Sequence, residues 1–133
     1  MTRESWLPAA PESAPMARAI VREAAAEHGL GGAATWDLML ATSEAVANAV
    51  VHGSACGDPS RGVLLIIEVD EHSLSIEVCD CGTFDAAELR PPAQDALGGR
   101  GIPIIAAVAD HFELVPDVAN TRVRFGKWLP VAA

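Results

Sequence analysis

The sequence predicts an α+β fold: a two-layer sandwich with about three helices on one face of a mixed, mainly antiparallel sheet. Three observations predict it. Two stretches before residue 53 carry the 3.6-residue apolar periodicity of helices. Two pairs of β-branched runs, 62–70 with 73–80 and 112–116 with 121–129, are each joined by a short turn and read as hairpins. A third helical stretch separates the pairs, so helices and hairpins alternate in blocks, which suits helices layered on one side of an antiparallel sheet.

Residues 1–11 are punctuated by prolines and read as an edge strand around Ser5–Leu7 or a flexible lead-in. Ser13 is placed to cap a helix running to about His28, where Gly29 stops it. LGGAA (30–34) is a connector, and Thr35 caps a second helix from Trp36 to His52. Trp36, Met39, Leu40, Val46, Val50 and Val51 supply its apolar face. HGSACGDPSRG (52–62) is loop by composition. In SLSIEVCD (73–80), Leu74, Ile76 and Val78 alternate with Ser73, Ser75, Glu77 and Cys79, so Asp80 continues the core-facing row. CGTFDAAELRPPAQDAL (81–97) cannot form a strand and reads as a mobile lid. LGGRGIPII then opens the third helix, with Pro103 in its first turn and Asp110–His111 near its end.

A chain of 133 residues is one domain's worth, 1–133, able to bury roughly two-thirds of its unfolded surface. Half of it is hydrophobic and a fifth charged, which excludes a disordered chain. No apolar run is long enough to cross a bilayer, and MTRESWLPAAPES lacks the core of a signal peptide, so a cytoplasmic location without membrane attachment is expected. A net charge of −9 argues against direct nucleic-acid binding, which runs on phosphate neutralisation. It leaves a nucleotide open, because such charge is screened beyond about 8 Å. Lys127 is the single lysine, so phosphate contacts would fall to arginine, backbone N–H groups or a metal. The three cysteines, Cys56, Cys79 and Cys81, form no CxxC pair and read as reduced thiols.

Glu44, Asn48 and His52 stand at intervals of four in SEAVANAVVH, a polar stripe in an alanine-rich helix. A carboxylate can orient or deprotonate an attacking hydroxyl, and an amide oxygen can coordinate Mg²⁺. Asp80, aimed inward, can accept a hydrogen bond from an exocyclic amine. The glycine-rich turn GGRG (98–101) enters a helix and offers free N–H groups with roughly +0.5 charge, a seat for phosphate. Arg100, inside it, can offset phosphate charge in transfer. Each feature alone has a plainer reading. Glu44 and Asn48 fit an exposed helix stripe, Asp80 a turn-former before Gly82, and GGRG a helix-entry loop. His52 fits a dipole-favoured helix end, and Arg122, Arg124 and Lys127 a solvated strand face or a docking patch. There is no GxxxxGK[ST] and no Rossmann glycine pattern after a first strand.

With the three features in this order, the chain resembles the GHKL ATPase superfamily, and within it the bacterial anti-sigma-factor serine/threonine kinases. SEAVANAVVH is similar to their N-box, CDCGTFD to their adenine-reading box, LGGRGIPIIAAVAD to their second glycine box, and NTRVRFGKWL to their closing Gly-Thr-x-Val strand. The likeness covers residues 12 to 129. It implies the GHKL (Bergerat-like) fold, a short ATP lid over 81–98, and ATP with Mg²⁺ as cofactors. Glu44 is then the base that activates the attacking hydroxyl, and Asn48 the ligand that holds Mg²⁺. Asp80 binds the adenine amino group, and Gly82 gives the base room. Gly99, Arg100 and Gly101 line the triphosphate, Arg100 also acting in catalysis, and Thr121 sits near the adenine. Two positions depart from the pattern: Phe84 and Asn120 stand where glycines are usual. The resemblance implies an ATP-dependent protein kinase that phosphorylates a STAS-type antagonist, sequesters a sigma factor and forms a homodimer. The alternative is a non-catalytic ATP/ADP-binding module that regulates a partner by contact; the presence of Glu44 favours the kinase.

Overall fold

The computed structural model describes residues 1–53, 62–80, 101–116 and 121–130. In chain order they form β1 (Thr2–Leu7), α1 (Ser13–Glu27), α2 (Gly32–Gly53), β2 (Val63–Val69), β3 (Ser73–Asp80), α3 (Gly101–Val108), β4 (His111–Pro116) and β5 (Thr121–Trp128). The sheet order is β1-β2-β3-β5-β4, and every pairing is antiparallel, so the expected mixed sheet is wholly antiparallel among the described residues. The three helices lie on one face, as the segregation of helical and strand periodicity predicts.

Alternation along the strands builds the core. Leu65 and Ile67 of β2, Leu74, Ile76 and Val78 of β3, and Val123 and Phe125 of β5 are buried under the helices. Ile76 is the register partner of Phe125, and Val78 of Val123, so the inward rows stack across the central pair. The opposite face carries the ion pairs Arg124–Glu68 (3.0 Å) and Arg122–Glu77 (3.7 Å). The expected basic strand face is therefore divided. Lys127, in the inward row of β5, instead reaches Asp37 of α2 (3.0 Å) and Asp110 (3.6 Å).

Several boundaries differ from the sequence reading, for local reasons. Ser13 is the first residue of α1 and does not cap it; its buried hydroxyl donates back to the Pro8 carbonyl. Gly29 ends the helix with a φ of +73°, a conformation that costs glycine nothing. α2 starts at Gly32, three residues before the expected cap, and the Thr35 hydroxyl donates to the Leu30 carbonyl (3.4 Å). His111 opens β4 and does not close α3.

The largest departure is the face that α2 buries. Leu38, Ala41, Thr42, Ala45, Val46 and Ala49 form it, whereas Trp36 is 68% exposed, Val51 66% and Leu40 37%. The helix is apolar nearly all round, so periodicity gives no sharp direction. The alanines win the inside because small side chains let α2 lie close over β3 and β5. Thr42, buried among them, satisfies its hydroxyl by donating to the Leu38 carbonyl (2.7 Å).

His111 lies across Gly126, its register partner, and against Trp128 at a ring-centroid distance of 4.9 Å. A Cβ on Gly126 would stand 2.5 Å from the imidazole, so the ring occupies the space a side chain would need. Nε2 of His111 is buried without a hydrogen-bond partner among the described residues. Desolvation first, then repulsion from Arg124, holds this histidine below its usual 6.5, and attraction to Asp110 and Asp70 offsets only part of that. The unfolded chain therefore takes up this proton first as the pH falls. The contribution to stability is complete above pH 6.5 and declines as the pH drops through 6.5 toward the lower folded value. Urea melts of the wild type and of His111→Gln, compared between pH 7.5 and 5, are expected to show a shallower acid loss in the variant. Parallel pH profiles would remove His111 from the account.

Candidate functional site

Asp37, Ala41, Glu44 and Asn48 follow one another along α2 at intervals of four, three and four, and so share one flank of the helix. Two contacts fix where that flank points. On the opposite flank, Arg18 of α1 donates to the Ser43 hydroxyl (2.5 Å), so α1 lies there. On the near flank, Asp37 meets Lys127, whose ammonium also reaches Asp110 at the exit of α3. α3 packs beside α2, with Ile105 buried beneath it. Glu44 and Asn48 thus border the groove between α2 and α3, floored by β3 and β5.

Lys127 anchors one end of this groove. α2 leaves that anchor and crosses β5 and β3, carrying Glu44 about 10 Å and Asn48 about 16 Å beyond Asp37 at 1.5 Å per residue. Thr121 lies six residues back from Lys127 along β5, roughly 20 Å at strand rise. Thr121 thus stands at the other end of β5 from Lys127.

At that end Asp80 and Thr121 are register partners, the next pair after Val78–Val123 in an alternation that runs without a bulge. Two residues that the family resemblance assigns to one ligand, forty-one residues apart in the chain, are thus neighbours across the β3–β5 ladder. Gly101 is the first residue of α3. Gly82, Gly99 and Arg100, with the expected lid, lie outside the described residues.

Glu44 and Asn48 are half-buried, and neither forms a hydrogen bond or ion pair with another described residue. A half-buried carboxylate without a partner is costly, and a fold keeps one where a ligand or a reaction uses it. The other half-buried acids among the described residues, Asp37, Glu68 and Glu77, each meet a cation, and exposed Asp70 accepts from the backbone N–H groups of His72 and Ser73, which hold its carboxyl below the usual range. The free donor set, one carboxylate and one amide oxygen, suits a hard cation that takes its remaining oxygens from water and phosphate. No cluster of three or more His, Cys, Asp or Glu among the described residues offers a complete protein-made metal cage. The residues thus fit Mg²⁺ carried with a phosphate ligand.

Sequence reasoning did not place Asp37 or Lys127 at the site. Asp37 had a signal, since it continues the Glu44–Asn48 stripe seven residues upstream; Lys127 had only its odd-numbered place in β5. Removing the ammonium leaves two carboxylates, each about a third exposed, facing an uncharged wall. Lys127→Met is expected to cost about 1–2 kcal/mol in a denaturant melt, below the 3–5 kcal/mol for a fully buried pair because water reaches both acids. No loss would show that the triad is a surface ornament.

No helix among the described residues is long and apolar enough to cross a membrane. A model of the histidine kinase-like ATPase domain family matches residues 7–127. Among solved structures, the chain is similar to the RsbU and RsbW domains of a Mycobacterium tuberculosis protein. That match has a TM-score of 0.76 and 24% identity, over 98% of this chain and 34% of that one. The chain thus spans about a third of that neighbour's length. It is also similar to a chain of the SiaB–SiaC complex from Pseudomonas aeruginosa, with a TM-score of 0.64 and 13% identity, over 95% of this chain and 88% of that one. At these identities the likeness is one of fold. No curated protein matches the chain in sequence.

Proposed function

Since the chain belongs to the histidine kinase-like ATPase domain family, we infer that it binds ATP in the groove between α2 and α3 and transfers the γ-phosphate to a serine or threonine of a partner protein. The observation that carries this reading is the unpartnered pair Glu44 and Asn48 on the groove side of α2.

The roles follow from the chemistry of each group. The Glu44 carboxylate accepts the proton of the attacking hydroxyl as its oxygen bonds to the γ-phosphorus and the bond to ADP breaks. The Asn48 amide oxygen holds Mg²⁺, which when bound neutralises phosphate charge. Asp80 accepts from the adenine amino group, with Thr121 beside it in the ladder and Gly82 leaving room for the base. Gly99, Arg100 and Gly101 line the phosphates at the N-terminus of α3, where the helix dipole favours negative charge, and Arg100 offsets the charge that develops in transfer.

The substrate is a small STAS-type antagonist, and the chain also sequesters a sigma factor by contact. That the fold neighbours are a chain with RsbU and RsbW domains and a chain of the SiaB–SiaC complex supports a regulator that works on a protein partner.

Calorimetric titration with ATP, with and without Mg²⁺, is the first test. Saturable binding strengthened by Mg²⁺ is expected, followed by transfer of label from γ-labelled ATP to a serine-bearing STAS domain. Binding without transfer would replace the kinase by a nucleotide-holding contact regulator. No binding at millimolar ATP would overturn the reading.

A further inference from the structure

Asp110, just past α3, is held to β5 at three points. Its backbone N–H donates to the Gly126 carbonyl (2.9 Å) and its carboxylate accepts from the Trp128 N–H (2.9 Å). The Lys127 ammonium stands 3.6 Å from the same carboxylate. The exit of α3 is thereby fixed to the sheet. The start of α2 has one such tie: among the described residues, Asp37 meets Lys127 alone (3.0 Å). A single ammonium, on a side chain only 12% exposed, thus joins the second turn of α2 to the end of α3.

The two helices pack on one another, so they run antiparallel away from that ammonium. Glu44 lies seven residues beyond Asp37, about 10 Å along α2. Gly101 lies nine residues before Asp110, about 13 Å back along α3. The carboxylate and the start of α3 therefore stand at similar distances from a shared anchor.

Packing alone holds this arrangement loosely. Much of the buried face of α2 is Ala41, Ala45 and Ala49, whose short side chains form shallow ridges that resist sliding and tilting less than long ones. A tilt of about 5° at the anchor moves Glu44 by about 1 Å, and a misplacement of that size can cost catalysis about 100-fold. An apolar contact of equal volume often serves stability as well as a buried ion pair; what the pair adds is direction.

We propose that Lys127 is a positioning residue. By clamping Asp37 against Asp110 it fixes α2 beside α3, and with it the place of the Glu44 carboxylate relative to phosphates seated at Gly101. The purpose of the clamp rests on the kinase reading above; the clamp itself rests on the contacts of Lys127.

Ala47 of α2 and Ala106 of α3 are both exposed and can carry spin labels on a ketone-bearing amino acid, which leaves the cysteines untouched. Pulsed electron resonance between them reads the helix spacing without substrate. The wild type is expected to give one narrow distance distribution, and Asp37→Asn and Lys127→Met distributions at least twice as wide. Lys127→Arg should restore the narrow one. Asp37→Asn keeps Lys127 paired with Asp110, so it releases α2 without stranding the ammonium. On the unlabelled chain, single-turnover transfer to a serine-bearing STAS domain at saturating ATP and Mg²⁺ should fall at least tenfold in Asp37→Asn and Lys127→Met. ATP affinity should stay within threefold of wild type, and Lys127→Arg should keep at least a third of the rate. All rates are compared well below the lowest melting temperature, so that an unstable variant does not pass for a misaligned one. Unchanged distances overturn the clamp. Wider distances with undiminished transfer, or equal losses of transfer and affinity, overturn the positioning role. A wild type that transfers no phosphate, while Lys127→Met still widens the distances, would refute the kinase reading and leave the clamp standing.

Discussion

Replacing Glu44 by alanine is expected to lower phosphoryl transfer by about 100- to 10,000-fold while changing ATP affinity by less than about threefold. The size follows from what a positioned general base supplies to proton transfer. The small change in affinity follows from its place: the carboxylate is on the α2 flank of the groove, free of partners, and is assigned to the attacking hydroxyl and not to the bound nucleotide. The same argument sets the sign for stability. Removing a half-buried acid that has no partner relieves desolvation and adds helix propensity, so the melting temperature should hold or rise. Single-turnover kinetics, calorimetry and a thermal melt on one preparation check all three. Equal losses in transfer and affinity would take Glu44 out of the base role, and a marked drop in melting temperature would show that its position is structural.

Asp80→Asn is expected to weaken ATP by about 10- to 100-fold and to leave GTP nearly unchanged. A hydrogen bond to a charged acceptor contributes roughly 1.5–3 kcal/mol, and the amide in place of the carboxylate forfeits much of it. GTP presents a carbonyl where ATP presents an amine, so it has no such bond to lose. The prediction leans on register: Asp80 ends β3 opposite Thr121, where the alternation of Leu74, Ile76 and Val78 continues. Unchanged ATP affinity would show that the adenine is read elsewhere.

What the sequence made legible is what alternation and punctuation encode. The span of β3 was readable to the residue, because serines and a glutamate interleave with Leu74, Ile76 and Val78 and turn residues flank the run. Glu44 and Asn48 stood out as candidates because polar side chains in an alanine-rich helix need a reason, and the structure leaves both half-buried. The buried face of α2 was not. Trp36, Leu40 and Val51 have the largest apolar side chains there, and burial by size alone would have put them inside; close helix–sheet packing chose Ala41, Ala45 and Ala49. His111 was assigned to a helix end because nothing in the sequence shows that Gly126 leaves room for its ring across the sheet. The Lys127 triad joins positions ninety residues apart and has no local signature.

The strand order has a consequence for how the chain reaches this structure. β1–β2 apart, the sheet's two hairpins β2–β3 and β4–β5 form from near neighbours, but they are joined only through the β3–β5 ladder, whose closing pair is Asp80 and Thr121. Zipping that seam requires the ends of a forty-residue stretch to meet, a slow and entropically costly step. The cost grows only as the logarithm of length, about 0.6 kcal/mol per doubling. Lengthening or trimming residues 81–100, which join β3 to α3, should therefore alter the folding rate more than the final stability, since α3 and β4 are left whole.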